Sequence, residues 1–186
     1  MKKIILKIFR KAVQPMLKRG LGRFYLIRKL HNLLIIFLNP IEIQGHRMFL
    51  EPADGLEFLI KPTHEQFETE VFKKEIEKGD TVLDLGSHIG YYTLIAAELV
   101  GEKGKVFAFE PKPTNFVLLK KNIKINNYQN VIPVQKAVSN KNGKGRLYLK
   151  EKKTQNRIYD SQENDPFIET ETVRLEDYIK ERGWFY

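Results

Sequence analysis

One stretch of this 186-residue sequence decides its fold: Thr81-Val82-Leu83-Asp84-Leu85-Gly86-Ser87-His88-Ile89-Gly90. Residues 82–85 are mostly apolar and predict a β-strand buried on both faces. Gly86 and Gly90 predict a turn in which the backbone approaches a ligand, because glycine has no Cβ to block the contact. Residues 91–100 predict a helix that ends at Gly101. A strand, a glycine turn and a helix N-terminus together indicate a nucleotide-binding corner, since the first amides of a helix have no partners within it.

A second strand carries the next clue. Residues 105–110 predict a strand that ends on the carboxylate of Glu110. This acid lies about 20 residues beyond the glycine turn, the separation at which a βαβ unit places a carboxylate on ribose hydroxyls. A dinucleotide site needs the pattern G-x-G-x-x-G, but His88 and Tyr91 occupy its second and third glycine positions. The sequence therefore disfavours NAD as the ligand.

These residues resemble the first motif of class I S-adenosylmethionine-dependent methyltransferases. The fuller pattern is similar to the FkbM-type branch of that class, and it comprises residues 79–93 and the more specific run Phe109-Glu110-Pro111-Lys112-Pro113. The resemblance covers about residue 58 to the C-terminus. It implies an α/β, Rossmann-like methyltransferase sheet and S-adenosylmethionine as the cofactor. It also implies O-methylation of a small-molecule or glycan acceptor, often a sugar or a polyketide-like molecule.

The resemblance also implies which residues bind the cofactor. Asp84 is expected to bind the methionine amino group, directly or through water, although it could instead satisfy the turn amides. Glu110 is expected to hold the ribose hydroxyls, because its two acceptor oxygens match a vicinal diol. The complete set of expected cofactor-binding residues is Asp84, Gly86, Ser87, Gly90, Thr93, Glu110 and Ala137.

The other members of this set have smaller expected roles. Ser87 and Thr93 carry hydroxyls at the helix mouth that could bond the methionine carboxylate, although Thr93 could be an ordinary helix residue. Ala137 is expected to contact the adenine through its backbone. Glu68 could approach the cofactor or could be an acid favoured by the helix dipole. His88 is interpreted as a loop residue, and no metal is expected.

Three segments organise the chain. Residues 1–40 predict a basic amphipathic helical arm, residues 41–62 a β-meander, and residues 63–186 the methyltransferase part. In the last segment we expect a helix over 113–126 with an N-cap at Pro113-Thr114, a strand over 131–134, and a hairpin turn at Asn142-Gly143. The absence of cysteine excludes disulfides, zinc–thiolate sites and a cysteine nucleophile, and it fits a cytoplasmic protein.

The arm contains most of the basicity. Its ten basic residues exceed the net charge of +9 for the whole chain, and no acid accompanies them: Lys2, Lys3, Lys7, Arg10, Lys11, Lys18, Arg19, Arg23, Arg28 and Lys29. A basic amphipathic helix is typical of a segment that lies on an anionic membrane surface. The alternative is a helix that packs on the domain or on a partner subunit. Nucleic acid is not expected, because no aromatic-basic platform or known motif is present.

The family pattern continues beyond what the sequence contains. A further strand ending in an Ile-Asp-x-Glu-Gly-like motif would follow, so we expect this chain to hold only the first half of the fold. Strand 82–85 would then lie at a sheet edge, open to a partner chain that completes the sheet. No catalytic residue is named, because the acceptor site belongs to the other half. The alternatives are a non-catalytic cofactor-binding remnant and a membrane-associated interaction protein.

Overall fold

The computed structural model of the chain describes residues 25–51, 65–149 and 166–183, with side chains from residue 32 onward. Backbone contacts divide the chain into two compact units, Met1–Glu75 and Ile76–Tyr186. Residues 1–24 of the predicted arm and residues 52–62 of the predicted β-meander lie outside the described residues. The three-segment division of the chain stays a prediction.

The described part of the first unit contains two helices and a hairpin. Helix α1 spans Tyr25–Leu38, strands β1 and β2 span Ile41–Ile43 and His46–Met48, and helix α2 spans Gln66–Glu75. The two strands pair antiparallel with Ile41 opposite Met48. Gln44 and Gly45 join them with φ of 50° and 84°, the sign that two-residue primed hairpin turns require. Within the described residues, no helix is long and apolar enough to cross a bilayer.

The second unit begins with a three-stranded parallel sheet. Strands β3 (Thr81–Leu85), β4 (Lys105–Phe109) and β5 (Val131–Val134) lie in the order β3-β4-β5. Helix α3 (Tyr91–Val100) connects the first pair and helix α4 (Pro113–Ile125) the second. Parallel strands joined by helical crossovers form the Rossmann-like α/β arrangement that the sequence predicts.

Two details at the element ends differ from the prediction. Helix α4 begins at Pro113, whose fixed φ suits the first helical position. Its N-cap residue is Lys112 and no side chain caps the helix, so the expected N-cap at Pro113-Thr114 is wrong. Strand β4 also ends one residue earlier than the pattern indicates, at Phe109 rather than at Glu110.

Among the described residues, strand β3 lies at the edge of the parallel sheet. Only β4 pairs with it, and Leu85 is 50% exposed. Its five residues are exposed or half-buried, so the prediction of a strand buried on both faces is wrong. The reason is the lack of a second neighbouring strand among the described residues. The expected edge position is confirmed, and pairing with a partner chain stays a prediction.

A second sheet follows β5. Strands β6 (Ala137–Ser139), β7 (Gly143–Tyr148) and β8 (Phe167–Arg174) lie in the order β6-β8-β7, before helix α5 (Leu175–Lys180). β6 runs parallel to β8 and β7 antiparallel to it. The predicted hairpin at Asn142-Gly143 is therefore wrong, because β8 lies between the strands that flank it. The Asn142 side chain instead accepts from the Arg174 N–H and donates to Asp177, each over 2.7 Å.

An aromatic core joins the two sheets of this unit. Phe107 and Phe109 on β4 pack with Tyr178 of α5 and with valines of β5 and β8. The Phe109 and Tyr178 rings meet edge to face with centroids 4.9 Å apart, a favoured aromatic geometry. This packing fixes the end of β4, and the next residue in the chain is Glu110.

Candidate cofactor-binding site

The glycine turn is bonded to the end of the neighbouring strand. The N–H groups of Gly86 and Ser87 both donate to the carbonyl of Phe109, over 2.8 and 2.9 Å. The Gly90 N–H then donates to the Ser87 carbonyl over 2.7 Å, which closes the turn before α3 begins. The carboxyl ends of β3 and β4 are therefore held side by side, at the edge where ligands bind in open α/β sheets.

Each glycine of this turn has its own structural requirement. Gly90 has a φ of 97°, and a Cβ built on it would lie 2.8 Å from the Cδ1 atom of Leu119 on α4. Glycine thus permits both the backbone conformation and the close approach of the two helices. Gly86 has a φ of 84°, and a Cβ there would meet nothing within 4 Å. The space beside Gly86 is open to a ligand.

Glu110 is a buried carboxylate held by three donors. Its Oε2 accepts from the His88 N–H at 2.8 Å, and its Oε1 accepts from the Lys112 N–H at 2.9 Å and from Asn115 Nδ2 at 3.4 Å. The side chain is only 5% exposed. Burial raises the pKa of Glu110, and the three hydrogen bonds oppose that rise.

Asp84 is paired with a hydroxyl from α3. The Thr93 hydroxyl, which is fully buried, donates to Asp84 Oδ2 over 2.5 Å. Burial raises the pKa of Asp84, whereas hydrogen bonds from Thr93 and Ser87 lower it. Thr93 therefore orients the carboxylate of Asp84, and the expected contact of its hydroxyl with the methionine carboxylate stays a prediction.

The remaining predicted residues are placed differently. Ser87 is buried, and its hydroxyl lies 3.0 Å from the Asp84 carbonyl, to which it donates within the turn. Ala137 begins β6 and pairs with Thr172 of the second sheet. Glu68 is exposed in the first turn of α2, in the other unit of the chain. The cofactor contacts expected of these residues stay predictions.

Three polar groups near the turn were missed by the sequence reasoning. His88 contributes its backbone N–H to Glu110 rather than its side chain, and a φ of 53° aims that group. Asn115 and Asn122 are buried on α4, and Asn122 Nδ2 donates to the Ile89 carbonyl over 2.8 Å. The two asparagines lie seven residues apart, so they share one helix face with the apolar positions. Two asparagines on an otherwise apolar helix face were the signal in the sequence that could have indicated these buried polar groups.

The arrangement fits S-adenosylmethionine in its chemistry. The ligand has a ribose diol and a methionine ammonium group, which are both donors. The site offers two carboxylates whose raised pKa values reflect incomplete stabilisation of the charged form. A Cβ at Gly86 would meet nothing within 4 Å, so the turn leaves room for a ligand, and the two carboxylates suit one that is rich in donors.

The fold and this site define a class I S-adenosylmethionine-dependent methyltransferase domain. The family described as the TRM5/TYW2 methyltransferase domain matches residues 56–159, more than half of the chain. The chain belongs to this family. The match supports the class that the sequence indicates and does not support the FkbM-type branch.

Curated relatives match over the same core. A protein-L-isoaspartate O-methyltransferase from Methanococcoides burtonii is 40% identical over 60 residues, covering 32% of this chain and 30% of its own length. Protein-L-isoaspartate O-methyltransferase 1 from Archaeoglobus fulgidus is 32% identical over 60 residues, covering 32% of this chain and 28% of its own length. The chain thus spans under a third of these relatives.

Solved structures of similar chains include two from archaea. M. jannaschii TYW2 in complex with AdoMet is 28% identical with a TM-score of 0.41, covering 49% of this chain and 39% of its own. Trm5b from Pyrococcus abyssi is 26% identical with a TM-score of 0.39, covering 53% and 31%. At TM-scores below 0.5 these superpositions carry no weight, and the assignment rests on the family match.

Proposed function

We propose that this chain binds S-adenosylmethionine at the corner between β3 and β4 and supports methyl transfer to an acceptor nucleophile. The observation that carries the proposal is Glu110, a buried carboxylate bonded through the His88 N–H to the glycine turn. A structural carboxylate would gain little from burial at this edge, because desolvation disfavours its charged form. A ribose diol would offset that cost with hydrogen bonds.

In this proposal the residues hold the cofactor rather than react with it. Glu110 binds the ribose, and Asp84, oriented by Thr93, binds the methionine amino group. Gly86 lets the ligand approach the backbone, Gly90 permits the close packing against Leu119, and Ser87 keeps the turn closed. The bound cofactor would supply an electrophilic methyl group on a sulfonium, and these residues would hold it in place for transfer to an acceptor.

Calorimetric titration of the purified chain tests the cofactor assignment. S-adenosylhomocysteine should bind with a stoichiometry of about one, whereas NAD should not bind, because the pyrophosphate finds no second and third glycine. A folded chain that binds neither ligand, or that binds NAD more tightly, would contradict the proposal.

We propose tRNA as the acceptor. The TRM5/TYW2 family match favours a macromolecular acceptor of the tRNA or protein type over a sugar hydroxyl. The ten basic residues and no acids over residues 1–41 favour RNA among these, since Lys and Arg neutralise phosphates. This departs from the expectation of no nucleic-acid partner, and the expected FkbM-type sugar methylation is not supported.

Methyl transfer from labelled S-adenosylmethionine distinguishes these acceptors. The chain is incubated separately with total tRNA, an isoaspartyl peptide and a polysaccharide. Label in the tRNA alone is expected, with transfer falling as salt rises. Label in the peptide or the polysaccharide alone would overturn the tRNA assignment while leaving the cofactor site intact.

Membrane contact is a second candidate role for the basic arm. On α1, Leu33, Ile36 and Phe37 are each more than half exposed, whereas Ile35 and Leu38 are buried. An exposed apolar stripe next to basic residues suits an anionic bilayer surface, where the apolar side chains can be buried among lipid chains. RNA phosphates provide no apolar surface for these side chains. A cytoplasmic protein in peripheral contact with a membrane would have this pattern.

Co-sedimentation with anionic liposomes tests this role. Phe37→Glu should abolish sedimentation by placing a charge in the apolar stripe. Val117→Glu is the matched control, because Val117 is 60% exposed on α4 and the charge change is the same. Equal sedimentation of all three proteins, or none by the unmodified chain, would contradict membrane contact through α1.

A further inference from the structure

Asn115 has an unused hydrogen-bond acceptor beside the proposed ribose site. The side chain is 2% exposed and lies in the first turn of α4. Its Nδ2 donates to Glu110 Oε1 over 3.4 Å, while its Oδ1 is buried with no hydrogen-bond partner among the described residues. Buried polar atoms in native structures are nearly always bonded, so an unpaired acceptor next to a binding carboxylate indicates a missing donor.

The hydrogen bonds of Glu110 show why a second acceptor is needed. Each carboxylate oxygen accepts about two hydrogen bonds. Oε1 already accepts from the Lys112 N–H and from Asn115, whereas Oε2 accepts only from the His88 N–H. The carboxylate therefore has room for one further donor. A vicinal diol brings two donors, so one hydroxyl would lack an acceptor if Glu110 acted alone.

We propose that Asn115 and Glu110 together form the acceptor set for the ribose, with Glu110 Oε2 accepting one hydroxyl and Asn115 Oδ1 the other. Asn115 is thus a cofactor-binding residue that the glycine motif does not contain. This inference rests on the proposed function, since it needs the ribose to lie at Glu110.

The test is a comparison of ligands that differ only in their ribose hydroxyls. The unmodified chain and Asn115→Ala are titrated calorimetrically with S-adenosylhomocysteine and with its 2′-deoxy and 3′-deoxy analogues. Asn115→Ala should weaken binding of S-adenosylhomocysteine by about tenfold, the effect of one buried hydrogen bond. For the analogue that lacks the hydroxyl bonded to Asn115, the same substitution should change affinity by less than about twofold, because the interaction is already lost.

Asn122→Ala is the matched control. Asn122 is a buried asparagine of the same helix, but its Nδ2 bonds the Ile89 carbonyl rather than Glu110. Its loss should affect all three ligands by the same factor. If Asn115→Ala also weakens all three equally, or none of them, the proposal is overturned and Asn115 is structural.

Two further results keep the outcome clear. Asn115→Ser replaces Asn115→Ala in the same comparison if thermal unfolding shows that the alanine variant does not fold. No binding of S-adenosylhomocysteine by the unmodified, folded chain would overturn the proposed cofactor site and this inference with it. Normal binding that is insensitive to Asn115 would overturn this inference alone.

Discussion

The backbone N–H of His88 donates a hydrogen bond to the Glu110 carboxylate over 2.8 Å, which joins the glycine turn to the end of the neighbouring strand. The two residues lie 22 positions apart in the chain. The parallel register brings them together, since it sets Leu85 opposite Phe109. The amide that would otherwise face solvent at the turn therefore orients the carboxylate that we assign to the ribose.

Replacing Glu110 should weaken cofactor binding without unfolding the protein. Glu110→Gln keeps the side-chain size but replaces one acceptor oxygen with a donor, so S-adenosylhomocysteine should bind at least about tenfold more weakly in calorimetry. Glu102→Gln, an exposed site at the end of α3, is the control and should bind normally. Equal affinities of the two variants would show that Glu110 does not contact the ligand.

Cofactor binding should weaken as pH falls. Burial raises the pKa of Glu110, and hydrogen bonds from ribose hydroxyls favour the ionised form. Binding therefore lowers that pKa, and protons are released at pH values between the lower pKa of the bound state and the raised pKa of the free protein. Calorimetry in buffers of different ionisation enthalpy measures this release. Glu110→Gln should lose much of it, and a proton uptake on binding would contradict the assignment.

The same raised pKa sets a trend in stability. The folded protein keeps the Glu110 proton to higher pH than the unfolded chain does. Between the ordinary glutamate pKa of about 4.3 and the raised folded pKa, the unfolded state therefore binds fewer protons. The contribution of Glu110 to the free energy of unfolding is therefore present below the ordinary glutamate pKa and is lost as pH rises through the raised folded value. Urea unfolding at several pH values, compared with Glu110→Gln, measures the difference; an opposite slope would contradict it.

Removing the Thr93 hydroxyl should destabilise the domain. Thr93→Val leaves Asp84 buried without its 2.5 Å donor, which should cost about 1–3 kcal/mol in the free energy of unfolding. Thr93→Ser keeps the hydroxyl and should recover most of this loss in urea unfolding. If Thr93→Val is as stable as the unmodified chain, or if Thr93→Ser loses as much as Thr93→Val, the hydrogen bond to Asp84 does not account for the stability.

Gly90 should be more sensitive to substitution than other glycines of positive φ. Gly90→Ala adds a Cβ 2.8 Å from Leu119 Cδ1 and should cost about 2–4 kcal/mol, from backbone strain and overpacking together. Gly79→Ala is the control, with a φ of 95° and nothing within 4 Å of the new Cβ. It should cost about 1–2 kcal/mol from the backbone alone.

A double mutant separates the two terms at Gly90. In the background Leu119→Ala the clash is relieved, so the further cost of Gly90→Ala should fall to that of Gly79→Ala. Urea unfolding of the four proteins of the cycle gives the coupling. An unchanged cost of Gly90→Ala would show that backbone strain accounts for all of it.

The sequence by itself determined the core of the site. Strands β3, β4 and β5 and helix α3 lie where the patterns predict, because apolar runs and glycine breaks act over a few neighbouring residues. The positions of Asp84 and Glu110 at the strand ends follow from the same patterns. The motif that these residues form indicates the cofactor class. The branch of the family, TRM5/TYW2, follows from the match over residues 56–159 and not from that motif.

Only the tertiary structure decided the partners of those residues. The short strands β6 and β7 looked like a hairpin, but both pair with β8, a contact between distant parts of the chain that local turn preference does not contain. Likewise, the roles of Thr93 and Asn115 depend on how α3 and α4 meet the strand ends. A helical pattern records which residues are apolar, whereas a buried polar residue acquires its role from the group that the fold brings against it.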